Sequence, residues 1–116
     1  MTWAAIILSL AALGGLTMVA IRLSGVPRPP TFLAAGHGLI AATGLALLIY
    51  AAADPGLPQL AQVALGLFVL AALGGITIFV RYHLKTLPLP IPFILGHGLL
   101  ALIALAVLWT SWYQAG

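Results

Sequence analysis

Residues 34–39 read AAGHGL, and residues 94–99, sixty positions later, read ILGHGL. Both histidines interrupt long apolar stretches, because hydrophobic residues make up 64% of the 116-residue chain and charged residues only 4%. This composition leaves too few polar side chains to cover a water-soluble surface, so the chain belongs in a lipid bilayer. The medium around both histidines is therefore hydrocarbon rather than water.

Four apolar stretches are each close to the ~20 residues that cross a hydrocarbon core about 30 Å thick. They cover residues 3–21, 31–51, 58–80 and 91–112. The links between them are short and rich in proline, which makes consecutive helices antiparallel. The sequence therefore predicts an all-α integral membrane fold, an up-down bundle of four transmembrane helices forming a single membrane domain over 1–116. Only Met1 and Thr2 precede the first stretch, which disfavours a cleavable signal peptide.

An ungapped shift of sixty residues aligns AALGGLT at 11–17 with AALGGIT at 71–77, together with the two GHG sequences. This pattern predicts two tandem helical-hairpin repeats, about 1–57 and about 58–116. Because each repeat has two helices, both copies enter the membrane in the same direction, and equivalent residues lie at equal depth.

The few charges indicate an orientation. The first and third links contain the whole basic complement, which is Arg22, Arg28, Arg81 and Lys85. The only acid, Asp54, is in the second link. The positive-inside rule then predicts that both termini lie outside the cytoplasm, and the basic charge reports topology rather than a nucleic-acid partner. We expect the membrane to be a bacterial inner membrane. Aromatic residues suited to an interface collect at the opposite end, namely Trp3, Tyr50, Trp109, Trp112 and Tyr113.

The histidines and the paired glycines are predicted to share one layer. His37 and His97 each follow the start of an apolar stretch by six residues, which is roughly 9 Å at the rise of an α-helix. Gly15 and Gly75 lie at about the same depth on the first and third helices. Diagonal placement in an up-down bundle would put histidines on one diagonal and glycines on the other, with room for a flat ligand between the histidines.

The duplicated LGGxT on the first and third helices and GHG on the second and fourth resemble the plan of four-helix membrane cytochromes b. The resemblance implies that His37 and His97 are axial haem ligands. It also implies that glycines make room for the porphyrin, and the candidates are Gly14, Gly15, Gly74 and Gly75. No histidine occurs in the outer half of any predicted helix, so the resemblance extends to a single haem.

The chemistry of these residues supports the same hypothesis. Polar groups are costly in lipid unless they are used, and neutral imidazole is a good iron ligand. Flanking glycines would let a macrocycle approach the backbone, and these are Gly36, Gly38, Gly96 and Gly98. The haem propionates would reach the basic cluster of Arg22, Arg28, Arg81 and Lys85. We therefore expect one b-type haem and electron transfer with a quinone or a partner subunit, rather than an enzyme acting alone.

A second hypothesis makes the chain a cofactor-free accessory subunit. Small residues and histidines also occur at ordinary membrane helix contacts, where an imidazole would hydrogen-bond Thr17 or Thr77. With so little mass outside the membrane, both hypotheses favour membership in a larger assembly, with other membrane subunits or further copies of the chain.

Other functions are disfavoured. A small transporter would place carboxylates in its spans, and none occurs there. The absence of cysteine excludes disulfides, iron–sulfur clusters and covalent haem attachment. Two remaining polar residues have structural expectations: His83 as a solvated or interfacial loop residue, and Gln62 as the source of one interhelical hydrogen bond.

Overall fold

The computed structural model describes residues 1–116 and contains only helices and the links between them. The helices are α1 (Thr2–Leu23), α2 (Thr31–Ala52), α3 (Gln59–Ile78) and α4 (Ile91–Ala115). A π-helical turn, Phe79–His83, continues α3. Each of the four helices is long and apolar enough to cross a membrane. The four apolar stretches predicted from the sequence match these helices to within three residues at each end.

Prolines fix the starts of three helices. Pro30, Pro58 and Pro90 are the N-cap residues of α2, α3 and α4. Their carbonyls accept the first helical hydrogen bonds, as in the 3.2 Å bond from the amide of Ala34 to Pro30. The ring of proline presets φ, and its missing N–H costs nothing at a helix start, where the amides have no intrahelical partner. These prolines are why the boundaries could be predicted from the sequence.

The helices pair as two antiparallel hairpins that lie side by side. α1 packs along α2, and α3 packs along α4. The hairpins then meet through α1 with α4 and, less extensively, through α2 with α3. This arrangement puts α2 diagonally across from α4 and gives an elongated bundle of 44 × 20 × 19 Å. That the hairpins are repeats of one unit stays a prediction.

Tryptophan hydrogen bonds join the two hairpins where α1 begins and α4 ends. The indole nitrogen of Trp112 donates to the hydroxyl of Thr2, and that of Trp109 donates to the hydroxyl of Ser9, each over 2.9 Å. Deeper in this half of the bundle, nine buried residues from all four helices form the main apolar core, which includes Leu8, Leu48, Phe68 and Leu108. The half that contains both termini therefore holds the main core.

The first and third links meet at the opposite end, which we call the basic end. The amide of Leu89 donates to the carbonyl of Pro27 over 3.0 Å, and Nε of Arg22 donates to the carbonyl of Leu89 over 2.9 Å. Nη1 of Arg28 donates to the carbonyl of Thr86 over 2.6 Å. A smaller apolar cluster of Ile78, Leu89 and Ile94 lies beneath the links.

Two expectations for polar residues are wrong. His83 is not a solvated loop residue: α3 continues as a π turn through it, and its side chain is only 6% exposed. Gln62 makes no interhelical hydrogen bond, because its side-chain nitrogen donates to the carbonyl of Leu57 in the link just before α3. Both errors arise at helix ends, where local backbone geometry decides which way a side chain points.

Candidate functional site

The structure brings His37 of α2 and His97 of α4 together across the bundle. Their ring centroids are 6.3 Å apart, and the ring planes are nearly perpendicular, at 87°. The pair lies between the main apolar core and the smaller cluster at the basic end, and it belongs to neither. Two imidazoles therefore meet between the two apolar clusters.

Each imidazole packs against a glycine pair of its own hairpin. A Cβ atom placed at Gly15 would lie 3.1 Å from Cε1 of His37, and one at Gly75 would lie 3.0 Å from Cε1 of His97. At Gly14 and Gly74 the closest approach to the ring is longer, at 3.8 and 3.7 Å. The group that Gly15 and Gly75 accommodate in this structure is thus the imidazole itself, which any larger side chain would displace.

The two rings differ in their hydrogen bonds. Nδ1 of His37 lies 2.8 Å from the carbonyl oxygen of Ala11. Because a carbonyl oxygen only accepts, Nδ1 carries the proton, and Nε2 keeps a free lone pair. The carbonyl of Ala71 lies near the His97 ring, yet the buried Nδ1 of His97 completes no hydrogen bond. One ring is therefore fixed by its neighbour helix, and the other has an unsatisfied polar atom inside the bundle.

The glycines beside the histidines in sequence face open space. A Cβ atom at any of them would meet no atom within 4 Å, and they are Gly36, Gly38, Gly96 and Gly98. They are not pressed against a neighbouring helix in this structure. Their surroundings are therefore free for lipid or for a ligand.

An open groove of about 380 Å³ lies beside His97, between α3 and α4. Its wall is mostly apolar, with Leu70, Phe93 and Leu100, and its floor includes Gly74 and Gly96. Leu70 and Phe93 are both more than half exposed, so the groove opens away from the bundle. His97 thus faces His37 on one side and an open apolar groove on another.

The threonines offered as hydrogen-bond partners for the histidines have other roles. The hydroxyl of Thr17 donates to the carbonyl of Leu13, and that of Thr77 donates to the carbonyl of Leu73, each four residues back on its own helix. The expectation that an imidazole bonds Thr17 or Thr77 is therefore wrong. Helical threonine satisfies itself in this way when no better acceptor is near.

The four basic residues lie at one end of the bundle, but they differ in their contacts. Arg22 and Arg28 are half-buried and hold the third link through its carbonyls. Arg81 and Lys85 are exposed and extend from the end of the π turn and the link after it. The free cations at this end are thus Arg81 and Lys85.

Two features of this region were not found from the sequence. One is the carbonyl of Ala11, since a backbone acceptor has no signature in the side chains. The other is a hydrogen bond of 3.1 Å between the hydroxyl of the exposed Thr31 and Nε2 of the buried His83. The sequence contained a signal for the bond between Thr31 and His83. The sixty-residue shift pairs Thr31 with Ile91 and His83 with Leu23, so both polar residues replace apolar ones at equivalent positions.

We compared the chain with protein-family models, with curated proteins and with solved structures, and no match was found in any of the three. The function must therefore be argued from the site itself.

Proposed function

We propose that the protein is a small membrane subunit that holds one b-type haem between His37 and His97 and takes part in electron transfer with a quinone or a partner subunit. The observation that carries the proposal is the meeting of these two imidazoles, 6.3 Å apart, inside a bundle of apolar helices. Polar groups at such a depth are costly unless they are used.

The separation of the rings suits a metal held between them. With metal–nitrogen bonds of about 2 Å, two ligating nitrogens lie about 4 Å apart, and the ring centroids, each about 1 Å farther out, lie about 6 Å apart. The observed 6.3 Å agrees with this value. The spacing of the two rings is thus that of two imidazoles bound to one metal.

The number of protein ligands favours haem over a bare ion. No group of three or more His, Cys, Asp or Glu side chains comes together in the chain. A bare Zn²⁺ site uses about four ligands, mostly from the protein. Two imidazoles suit an iron whose other four ligands come from a macrocycle, as in a bis-histidine haem.

The tautomer of His37 fits a ligating role. Histidines that bind metal almost always donate their other ring N–H to a carbonyl, carboxylate or water, which orients the ring. His37 makes this bond to Ala11 through Nδ1 and leaves Nε2 free. His97 has the same surroundings without the completed bond.

The haem, when bound, supplies the one-electron chemistry, and the chain supplies ligands, orientation and an apolar medium. Small residues keep the layer clear of large side chains, and the groove beside His97 adds apolar space. At the basic end, Arg81 and Lys85 are free to pair with carboxylates, because Arg22 and Arg28 already hold the third link. As part of the proposal, this end faces the cytoplasm of a bacterial cell.

One observation favours the second candidate, a cofactor-free accessory subunit. Each imidazole already lies in van der Waals contact with a glycine pair of its own hairpin, so the layer is partly filled by the chain alone. In that role the histidines would act as packing residues at a close helix contact.

Haem titration of the purified protein separates the two candidates. We expect saturation at one haem per chain, with the sharp Soret, α and β bands of a six-coordinate b-type centre. His37→Ala and His97→Ala should each lose this spectrum. Thr43→Val is the matched control, because the hydroxyl of Thr43 bonds only the carbonyl of Leu39 on its own helix. Protein that binds no haem, or keeps the wild-type spectrum in either alanine variant, contradicts the proposal.

A further inference from the structure

The bond between His83 and Thr31 is unusual in its position. His83 closes the π turn after α3, and its ring stacks on Phe79 with 5.2 Å between centroids and 19° between planes. Thr31 is the first residue of α2, in the other hairpin. The bond therefore joins the two hairpins, and it does so at the start of α2, the helix that carries His37.

The π turn is what directs His83 inward. In this turn the amide of Leu84 bonds the carbonyl of Phe79, five residues back, over 2.9 Å. Each α-helical residue turns the chain by about 100°, so one extra residue in a turn changes the direction of the side chains that follow. Short π segments of this kind are frequent at functional sites.

The first hairpin has no counterpart of this bond. The sixty-residue shift pairs His83 with Leu23 and Thr31 with Ile91. Leu23 ends α1 and is 54% exposed, so the equivalent position in the first hairpin makes no polar bridge. The first link nevertheless packs against the third through other bonds. A polar pair at only one of two equivalent positions points to a local role.

We propose that His83 is a positioning residue that acts through Thr31 to set where His37 lies relative to His97. Thr31 precedes His37 by six residues, roughly 9 Å along α2, a distance over which a helix moves as one body. The other hydrogen bonds between the hairpins at this end start from α1 or the first link, and only this one involves a residue of α2. The role of this bond in haem ligation rests on the proposed function, whereas its effect on the position of α2 does not.

The test uses Thr31→Val, which removes the hydroxyl, and His83→Leu, which installs the residue of the equivalent position. Thr31→Ser keeps the hydroxyl and should behave as wild type. Thr43→Val is again the control, since it removes a hydroxyl that bonds only its own helix.

The first readout needs no haem. The chain contains no cysteine, so Leu39→Cys and Leu99→Cys allow spin labels on α2 and α4 only. Both positions are more than 60% exposed and lie two residues after the paired histidines. We expect Thr31→Val and His83→Leu to shift the mean label separation by about 1–2 Å, the size of ordinary helix displacements, or to broaden its distribution. Thr31→Ser and Thr43→Val should leave it unchanged.

The second readout is the low-spin electron paramagnetic resonance signal of the haem-loaded protein. We expect Thr31→Val and His83→Leu to bind one haem per chain with shifted g values, because the ligand rings change orientation. Unchanged label separations and unchanged g values in both variants would overturn the positioning role. If no variant, wild type included, binds haem, the proposed function fails while the label separations still decide this inference.

Discussion

The contact between Gly75 and His97 gives a sharp steric prediction. A Cβ atom at Gly75 would lie 3.0 Å from Cε1 of His97, whereas ordinary contacts begin at about 3.4 Å, so the ring must move by about 0.4 Å. The ring has the α3 backbone on one side, His37 on another and the open groove on a third. Overpacking of this kind costs about 1–3 kcal/mol. Gly75→Ala should therefore weaken any function that needs the His37–His97 geometry.

Gly74→Ala is the matched control. Gly74 directly precedes Gly75 on the same helix, and a Cβ atom added there would lie 3.7 Å from the His97 ring. Replacing a mid-helix glycine with alanine gains about 0.5–1 kcal/mol in helix propensity, and this gain is common to both variants. The difference between them isolates the steric cost at Gly75.

The assay is haem titration of both variants in detergent. Because the displaced ring must return to its wild-type position to ligate haem, the cost falls on the bound state, and 1–3 kcal/mol corresponds to a dissociation constant about 5- to 150-fold higher for Gly75→Ala than for Gly74→Ala. Gly15→Ala and Gly14→Ala should show the same contrast, because their distances to the His37 ring are 3.1 and 3.8 Å. Equal affinities within either pair would refute the steric reasoning.

Further predictions concern topology and packing. In intact cells, Ser24→Cys and Thr86→Cys should resist an impermeant thiol reagent while Gly116→Cys reacts, because the proposed orientation places the basic links in the cytoplasm; the reverse pattern refutes this orientation. Gly44→Ala should destabilise the protein by about 1–3 kcal/mol in thermal unfolding, since its Cβ would lie 2.7 Å from Cγ of Leu8 and 3.2 Å from the Leu8 amide nitrogen. Gly66→Ala, where a Cβ meets nothing within 4 Å, is the control, and equal stabilities contradict the close approach of α1 and α2. Trp109→Phe should lose about 0.5–1.5 kcal/mol by leaving the hydroxyl of Ser9 without its donor, and an unchanged unfolding temperature would argue against that bond.

The helices could be predicted because length, hydropathy and proline positions determine them almost alone. Pro30 and Pro90 mark the starts of α2 and α4 directly. The rise of an α-helix likewise predicted that His37 and His97 lie at the same depth, and the structure brings their rings together.

The side-chain directions at the basic end could not be predicted in the same way. His83 turns inward because α3 continues as a π turn, and no residue pattern in 79–83 predicts such a turn. The roles of Arg22 and Arg28 also depend on which carbonyls the third link presents, which is a property of the folded links rather than of composition. Nor could composition show that Gly15 and Gly75 contact the imidazoles.

Electron paramagnetic resonance of the oxidised, haem-loaded protein tests the central claim most directly. The ring planes of His37 and His97 are 87° apart. Two imidazoles that held a haem iron at this angle would act on both of its dπ orbitals alike, which would give a low-spin signal with unusually large g anisotropy. We predict this signal in the wild type and its loss in both His37→Ala and His97→Ala. A high-spin signal, or a low-spin signal that survives either substitution, would contradict ligation of one haem by this pair.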